Sequence, residues 1–224
     1  MYNQFGQDTS AFWMVALTIS STRDTAGPMA RTVTDAATLL TVIAGYDPDD
    51  PATAPLKDKP PADYRLALKD DSLKGVRIGV LREYASSDTA VEELFNRAIE
   101  ILRAQGATVI DPVSISTKEA IDNNFRTKGQ YDNDGEIVQE TEFKATIESY
   151  LATRVGPGPK NLQDLIDFNN QHAPEEMLYF GQDVFTASEA RGALTDKVYL
   201  DALARATRLA GPEGIDVRRN GMFS

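Results

Sequence analysis

The sequence predicts an α/β protein with a helix-rich second half, on three observations. Residues 75–81, Gly-Val-Arg-Ile-Gly-Val-Leu, alternate Val76, Ile78 and Val80 on one face, the period of a strand. Thr89-x-x-Glu92 then opens a stretch with Val91, Leu94, Phe95, Ala98, Ile101 and Leu102 at helical spacing, closed by Gly106. Ala-Thr-Val-Ile-Asp at 107–111 reads as a second strand. Strand, helix and strand in this order form a βαβ unit, with the strands parallel through a right-handed crossover. A two-stranded parallel unit cannot cover itself, because parallel sheets bury both faces. Further strands, or an incomplete sheet, are therefore expected.

The other elements follow from punctuation. Residues 32–44 read as a helix: Thr32 caps it, Asp35 sits three positions on, Leu39, Leu40 and Ile43 form its apolar stripe, and Gly45 supplies the C′ position. Between 46 and 71, Pro48, Pro51, Pro55, Pro60 and Pro61 interleave with Asp47, Asp49, Asp50, Asp58 and Asp63, which predicts an extended surface connection. Helices are expected at 117–128, at 134–154 through Ile137, Phe143, Ile147, Tyr150 and Leu151, at 161–172 and at 195–209, with Gly-Pro-Gly-Pro at 156–159 as a loop. No strand is read after Asp111, no internal repeat is present, and the tail from 211 has no periodicity. The length allows one domain or two small ones.

Composition excludes several functions. With 23 Lys plus Arg against 34 Asp plus Glu the net charge is −11, and no clustered positive face is legible, so no nucleic acid is expected as partner. Zero cysteines exclude disulfides, thiolate zinc sites and a cysteine nucleophile. The longest apolar run, 11–19, falls well short of the ~20 residues that span a bilayer. Residues 1–10 carry neither Lys nor Arg, so no export signal is read, no membrane is expected as partner and a cytoplasmic location is expected.

Local motifs for chemistry are few. There is no Gly-x-x-x-x-Gly-Lys loop, and the strand at 75–81 enters its helix without a glycine-rich turn, so no nucleotide or other cofactor is expected. His172, the one histidine, follows Asn169, Asn170 and Gln171. It reads as a helix-end residue on the dipole rather than a general base, because no Gly-x-Ser-x-Gly elbow accompanies it. Asp-Asn-Asp-Gly-Glu at 132–136 has the look of a calcium loop but lacks the bidentate Glu, position 141 being Thr; helix capping by Asp134 is expected, and no metal. Glu175 and Glu176 beside Pro174 read as solvated dipole partners. In the segment 20–37, Gly27-Pro28 is a turn leading to the Thr32 cap, and Arg23 and Asp24 stand where side chains satisfy loop amides.

That last segment carries a resemblance. Asp-Thr-Ala-Gly-Pro-Met-Ala-Arg-Thr-Val-Thr-Asp-Ala-Ala at 24–37, Ala-Gly-Tyr-Asp-Pro-Asp-Asp-Pro-Ala-Thr at 44–53 and Lys-Gly-Val-Arg-Ile-Gly-Val-Leu-Arg-Glu at 74–83 resemble the amidase signature family in the order the family has them. Glu-Phe-Lys at 142–144, Leu-Ile-Asp-Phe-Asn at 165–169, Tyr-Phe-Gly-Gln at 179–182 and Leu-Ala-Gly-Pro-Glu-Gly-Ile-Asp at 209–216 resemble its peptide-amidase-like branch. The chain divides accordingly into a divergent segment at 1–18, a partial amidase-signature domain at 19–216 and a tail at 217–224. The resemblance implies part of an α/β/α fold around a mixed sheet, and hydrolysis of the C–N bond of a small-molecule amide. It implies a triad of nucleophilic serine, middle serine in a cis peptide and neutral lysine, the last needing a desolvated amine.

The departure from the family concerns that triad. The lysine, the Gly-Ser-Ser-Gly motif and the Gly-Ser-Ile-Arg motif belong before residue 19, and residues 1–17 contain none of them. Ser20-Ser21 stands where the family has an ordinary serine, and the nearest downstream lysine is Lys57. No catalytic residue is carried over, and the substrate-binding residues are unknown. The expectation is an amidase-family protein that is itself inactive, or alternatively a non-catalytic scaffold or binding module, or one half of a split amidase. The family's closing strand is expected beyond 216, so an open sheet edge should bring self-association or a partner chain.

Overall fold

Parallel pairing of the two expected strands is what the α/β reading stands on, and the structure has it. The structure, a computed structural model, describes residues 19–48, 50–125 and 133–215. They form two units, one from Ala26–Ser114 and the other from the stretches that end at Thr25 and resume at Ile115. The run at 11–18, Asp132 of the acidic cluster and the tail from 216 lie outside the described residues.

In the Ala26–Ser114 unit, α1 (Val33–Ile43) starts at Thr32, whose side chain accepts from the Asp35 N–H at 3.1 Å. It ends differently from the glycine stop expected. Ala44 turns extended at φ −81°, ψ 126°, and Gly45 has no left-handed backbone. The proline-rich connection is not extended throughout. It winds into 3₁₀ turns at Pro51–Leu56 and Tyr64–Ala67, because Asp50 and Asp63 accept from the Ala52 and Arg65 amides and Pro51 presets φ at the first position.

Strands β1 (Arg77–Gly79) and β2 (Thr108–Ile110) flank helix α2 (Thr89–Ala104). Their register pairs Arg77 with Thr108, Ile78 with Val109 and Gly79 with Ile110, in parallel. Asp88, not Thr89, caps α2, its carboxylate accepting from the Ala90 and Val91 amides. A charge facing the helix dipole makes it the stronger of two adjacent capping side chains. The helix closes as the sequence predicts: Gly106, at φ +90°, donates to Arg103 O, and Ala107 donates to Leu102 O. Arg82 ties the ends of this unit together, gripping Asp111 through two bonds of 2.6 and 2.7 Å and donating to Asn96 at 2.8 Å.

The other unit is helical: α3 (Lys118–Phe125), α4 (Asp134–Thr153), α5 (Leu162–Gln171), α6 (Ala173–Glu176), α7 (Asp183–Glu189) and α8 (Lys197–Ala210). The two short helices, α6 and α7, are not anticipated by the sequence reading. One apolar cluster joins Ile137 and Val138 of α4 to Tyr199 and Ala202 of α8. A second joins Ile147 and Leu151 of α4 to Leu162 and Ile166 of α5, with Phe143 and Phe185 beside them at 5.3 Å between ring centroids. Among the described residues no strand follows Ile110, and no helix is long and apolar enough to cross a membrane.

Two glycines beside helix ends give opposite expectations. A Cβ at position 106 would add a left-handed φ to a 3.3 Å approach to Lys74 Cα, whereas one at 45 meets nothing within 4 Å. Gly106→Ala should cost about 1–2 kcal/mol, and Gly45→Ala should leave stability within ~0.5 kcal/mol of the parent. Urea denaturation of both variants checks the contrast; equal midpoints would contradict it.

Candidate functional site

Helix α4 carries charge inward. Position 142 follows Val138 by one helical turn, so its glutamate falls on the side that packs toward α8, and the carboxylate has no exposed surface. Burying an ionised carboxylate without partners costs several kcal/mol, and here four donors converge on it. Ser20 Oγ donates to Oε2 at 2.5 Å and the Thr22 N–H to the same oxygen at 3.0 Å, while Thr22 Oγ1 and Tyr199 Oη donate to Oε1, each at 2.8 Å. Three segments far apart in sequence thus meet on one side chain.

The electrostatics follow from this geometry. Burial pushes the Glu142 carboxyl up, but the bonds from Ser20, Thr22 and Tyr199 outweigh it and hold the group below its ordinary value. The Tyr199 phenol is pushed up to about 12, by burial first and then by its bond to the Glu142 anion. Burial lowers the nearby Arg23 guanidinium, against the opposing pull of Glu142 and Asp134. Arg23 donates to Gly135 O at 3.1 Å, in the first turn of α4.

The same helix is braced by ion pairs along its length. Asp134, buried, takes two bonds from Arg205 at 2.6 and 3.0 Å. Glu140 pairs with Arg191 at 2.8 Å, and Lys144 donates to Glu189 at both its carbonyl, 2.8 Å, and its carboxylate, 3.0 Å. Asp134 is therefore no cap; Asn133 caps α4, accepting from the Glu136 N–H at 3.0 Å, because the carboxylate one position on is drawn to Arg205.

The sequence-predicted residues separate into distinct places. Asp24 satisfies loop amides as expected, accepting from Ile19 and Ser20 N–H at 2.6 and 3.1 Å, whereas Arg23 reaches α4 instead of its own loop. Ser20 is 1% exposed and committed to Glu142, while Ser21 faces solvent. Lys57 lies over the Tyr46 ring at 6.0 Å. His172 ends α5, its N–H donating to Phe168 O and its ring stacked on Phe168 at 4.2 Å, a helix-end residue as read. Glu175 and Glu176 are exposed in the first turn of α6.

Sequence reasoning passes over Glu142 and Tyr199 as a pair. The available signal was a charged residue on the apolar stripe of Ile137 and Val138. A further open cavity of 660 Å³ lies among α5 and α7, lined by Gln163, Ile166, Asn170, Gln182, Thr186 and Glu189.

Glu142→Gln places an amide N–H₂ against donors and should cost about 1–3 kcal/mol. Its pH signature has a definite sign. Since the folded carboxyl titrates below the ordinary value of about 4.3, its stabilisation is present above that pH and is lost as pH falls through the lower folded value. Tyr199, raised, contributes fully below its ordinary value near 10 and loses its contribution as pH climbs toward about 12. Denaturation midpoints against pH should therefore show a weaker acid limb in Glu142→Gln and a weaker alkaline limb in Tyr199→Phe.

Known proteins are similar to this chain in sequence and fold. The family described as Amidase matches residues 9–209. A probable amidase of Arabidopsis thaliana is 35% identical over 181 residues, covering 80% of this chain and 33% of that protein. A glutamyl-tRNA(Gln) amidotransferase subunit of Chloroflexus aggregans is 44% identical over 138 residues, covering 61% and 25%. The native peptide amidase of Stenotrophomonas maltophilia is 38% identical with a TM-score of 0.77, covering 90% of this chain and 39% of that one. The chain spans about a third of the length of the first curated relative it matches. The likeness in sequence and fold agrees with the signature blocks at 24–37, 44–53 and 74–83, and the chain belongs to the amidase signature family.

Proposed function

We propose that these residues supply the part of an amidase that follows its nucleophile-bearing motifs, and that they hydrolyse no amide on their own. The observation that carries this reading is the state of Ser20. Its hydroxyl is 1% exposed and donates at 2.5 Å to a carboxylate that is held below its ordinary pKa. A general base works best with a pKa near the operating pH, so an anion stabilised by four donors is a poor acceptor for the serine proton. A buried hydroxyl also offers no near-attack geometry to a carbonyl.

Ser21 is exposed and so could meet a substrate, but activation needs a base within ~2.6–3.2 Å, and the hydroxyl makes no hydrogen bond among the described residues. The Ser20–Glu142 contact therefore reads as an anchor. It holds the segment just before the Asp-Thr-Ala-Gly-Pro block on the helical unit, and in a longer amidase that would keep the chain around the reacting serine in place. The small-molecule amide would be bound and cleaved with groups supplied from elsewhere.

The purified chain should show no turnover of simple aryl and aliphatic amides and no labelling by a fluorophosphonate serine probe. Ser20→Ala should leave both results unchanged and lower stability by about 1–2 kcal/mol. Turnover or labelling that vanishes in Ser20→Ala or Ser21→Ala would show that the pair acts as nucleophile and would overturn the reading.

A further inference from the structure

We infer that the cleft between α5 and α7 binds a short extended peptide and selects one that carries an arginine or lysine side chain. Such binding goes beyond the proposed function, since it calls on no hydrolytic group.

One wall of the cleft is the stripe Gln163, Ile166 and Asn170, three positions on one face of α5. The hydrogen bonds around it fix which way each side-chain amide is turned. A backbone carbonyl only accepts, so Gln182 must present Nε2 to Ile166 O, at 3.2 Å, and the same nitrogen donates to Asn170 Oδ1 at 2.8 Å. Gln163 likewise donates from Nε2 to the Asp167 carboxylate at 2.8 Å. What remains is one donor, Asn170 Nδ2, and one acceptor, Gln163 Oε1, neither of them bonded among the described residues. Both residues are exposed.

Seven residues of helix separate the two, about 10 Å along the axis. A peptide backbone offers an N–H and a C=O at every residue and advances ~3.3 Å per residue when extended. About three residues therefore bridge the pair, with Ile166 as the apolar contact between them, whereas one small amide reaches only one of the two. The volume of 660 Å³ lies within the ~300–1,000 Å³ typical of small-ligand clefts.

The basic side chain is selected next door. At Gln182 and Asp183 the cleft runs into a second cavity, of 250 Å³, whose lining adds Glu176 and Phe180. Glu189, on the α7 wall of the cleft, is answered by Lys144 at 3.0 Å, but Glu176 and Asp183 make no ion pair among the described residues. No Lys or Arg lines either cavity. Two uncompensated carboxylates beside a phenyl ring that is 85% exposed, on a chain of net charge −11, complement a guanidinium or an ammonium. An acidic peptide would meet like charge.

The test titrates the nitrogen-15-labelled 224-residue chain with acetyl-Ala-Arg-Ala-methylamide, its glutamate counterpart acetyl-Ala-Glu-Ala-methylamide, and spermidine, a cation without amides. The arginine peptide should shift the side-chain NH₂ signals of Asn170 and Gln182 and bind at least ~10-fold tighter than either of the others. Gln163→Ala, Asn170→Ala and Asp183→Asn should each weaken it about 3- to 10-fold. Glu175→Gln removes the same charge from a position outside both linings and should leave binding unchanged. Far-UV circular dichroism checks each variant, and Gln163→Ala decides the matter if Asn170→Ala, which also takes a bond from Gln182, fails to fold. No shift at millimolar arginine peptide, equal binding of the glutamate peptide or spermidine, or binding indifferent to Gln163→Ala and Asp183→Asn overturns the inference.

Discussion

A carboxylate removed from water must be given back the hydrogen bonds it lost, and at Glu142 that requirement organises the helical unit. Two oxygens take four donors, and those donors come from the segment at 20–22 and from α8. The arrangement sits between two apolar clusters, Ile137 and Val138 against Tyr199 on one side, Ile147 and Leu151 against Leu162 and Ile166 on the other. Hydrophobic contact supplies the drive to pack but tolerates sliding. The directional bonds choose one register for α4 against its neighbours, since a shift of one residue would strand the charge.

The ion pairs along α4 act in the same way with smaller stakes. Asp134, Glu140 and Lys144 each meet a partner from α8 or from the stretch around 189–191. The carboxylates of Asp134 and Glu140 are nearly buried while their arginines stay partly in water. Long guanidinium side chains can cover a carboxylate and still keep a solvated edge, so the desolvation cost is smaller than for Glu142. A helix carrying this much inward charge is not amphipathic in the simple sense, which is why its apolar positions split into two short clusters rather than one continuous stripe.

Much of the fold is legible in the sequence because its signals are local. Thr32 three residues before Asp35, the alternation at 76–80 and Gly106 before Thr-Val-Ile each act within a few positions, and the elements appear there. Where two capable residues compete, the outcome depends on geometry no pattern encodes: Asp88 beside Thr89, Asn133 beside Asp134. Helix α7 escapes notice because its N-cap makes no side-chain bond. It is held by Phe185 against Phe143 and by Lys144 on Glu189, contacts from a distant helix. The Glu142 anchor escapes for the same reason, its partners standing 122, 120 and 57 residues away. The family was legible through its signature blocks at 24–37, 44–53 and 74–83, which need no tertiary contact to be seen.

The helical unit is assembled from two lengths of chain, one ending at Thr25 and one resuming at Ile115, with the whole βαβ unit strung between them. The bond from Ser20 to Glu142 therefore closes a very long loop. Closure entropy grows only logarithmically, about 0.6 kcal/mol per doubling of length, so the thermodynamic penalty is modest. The kinetic consequence is larger, because contacts between residues far apart in sequence are slow to form. The strand–helix–strand segment, whose pairings are comparatively short in range, can gather first and draw the ends of that loop nearer. The carboxylate of Glu142 is satisfied only when the segment at 20–22, α4 and α8 have all come together across that separation.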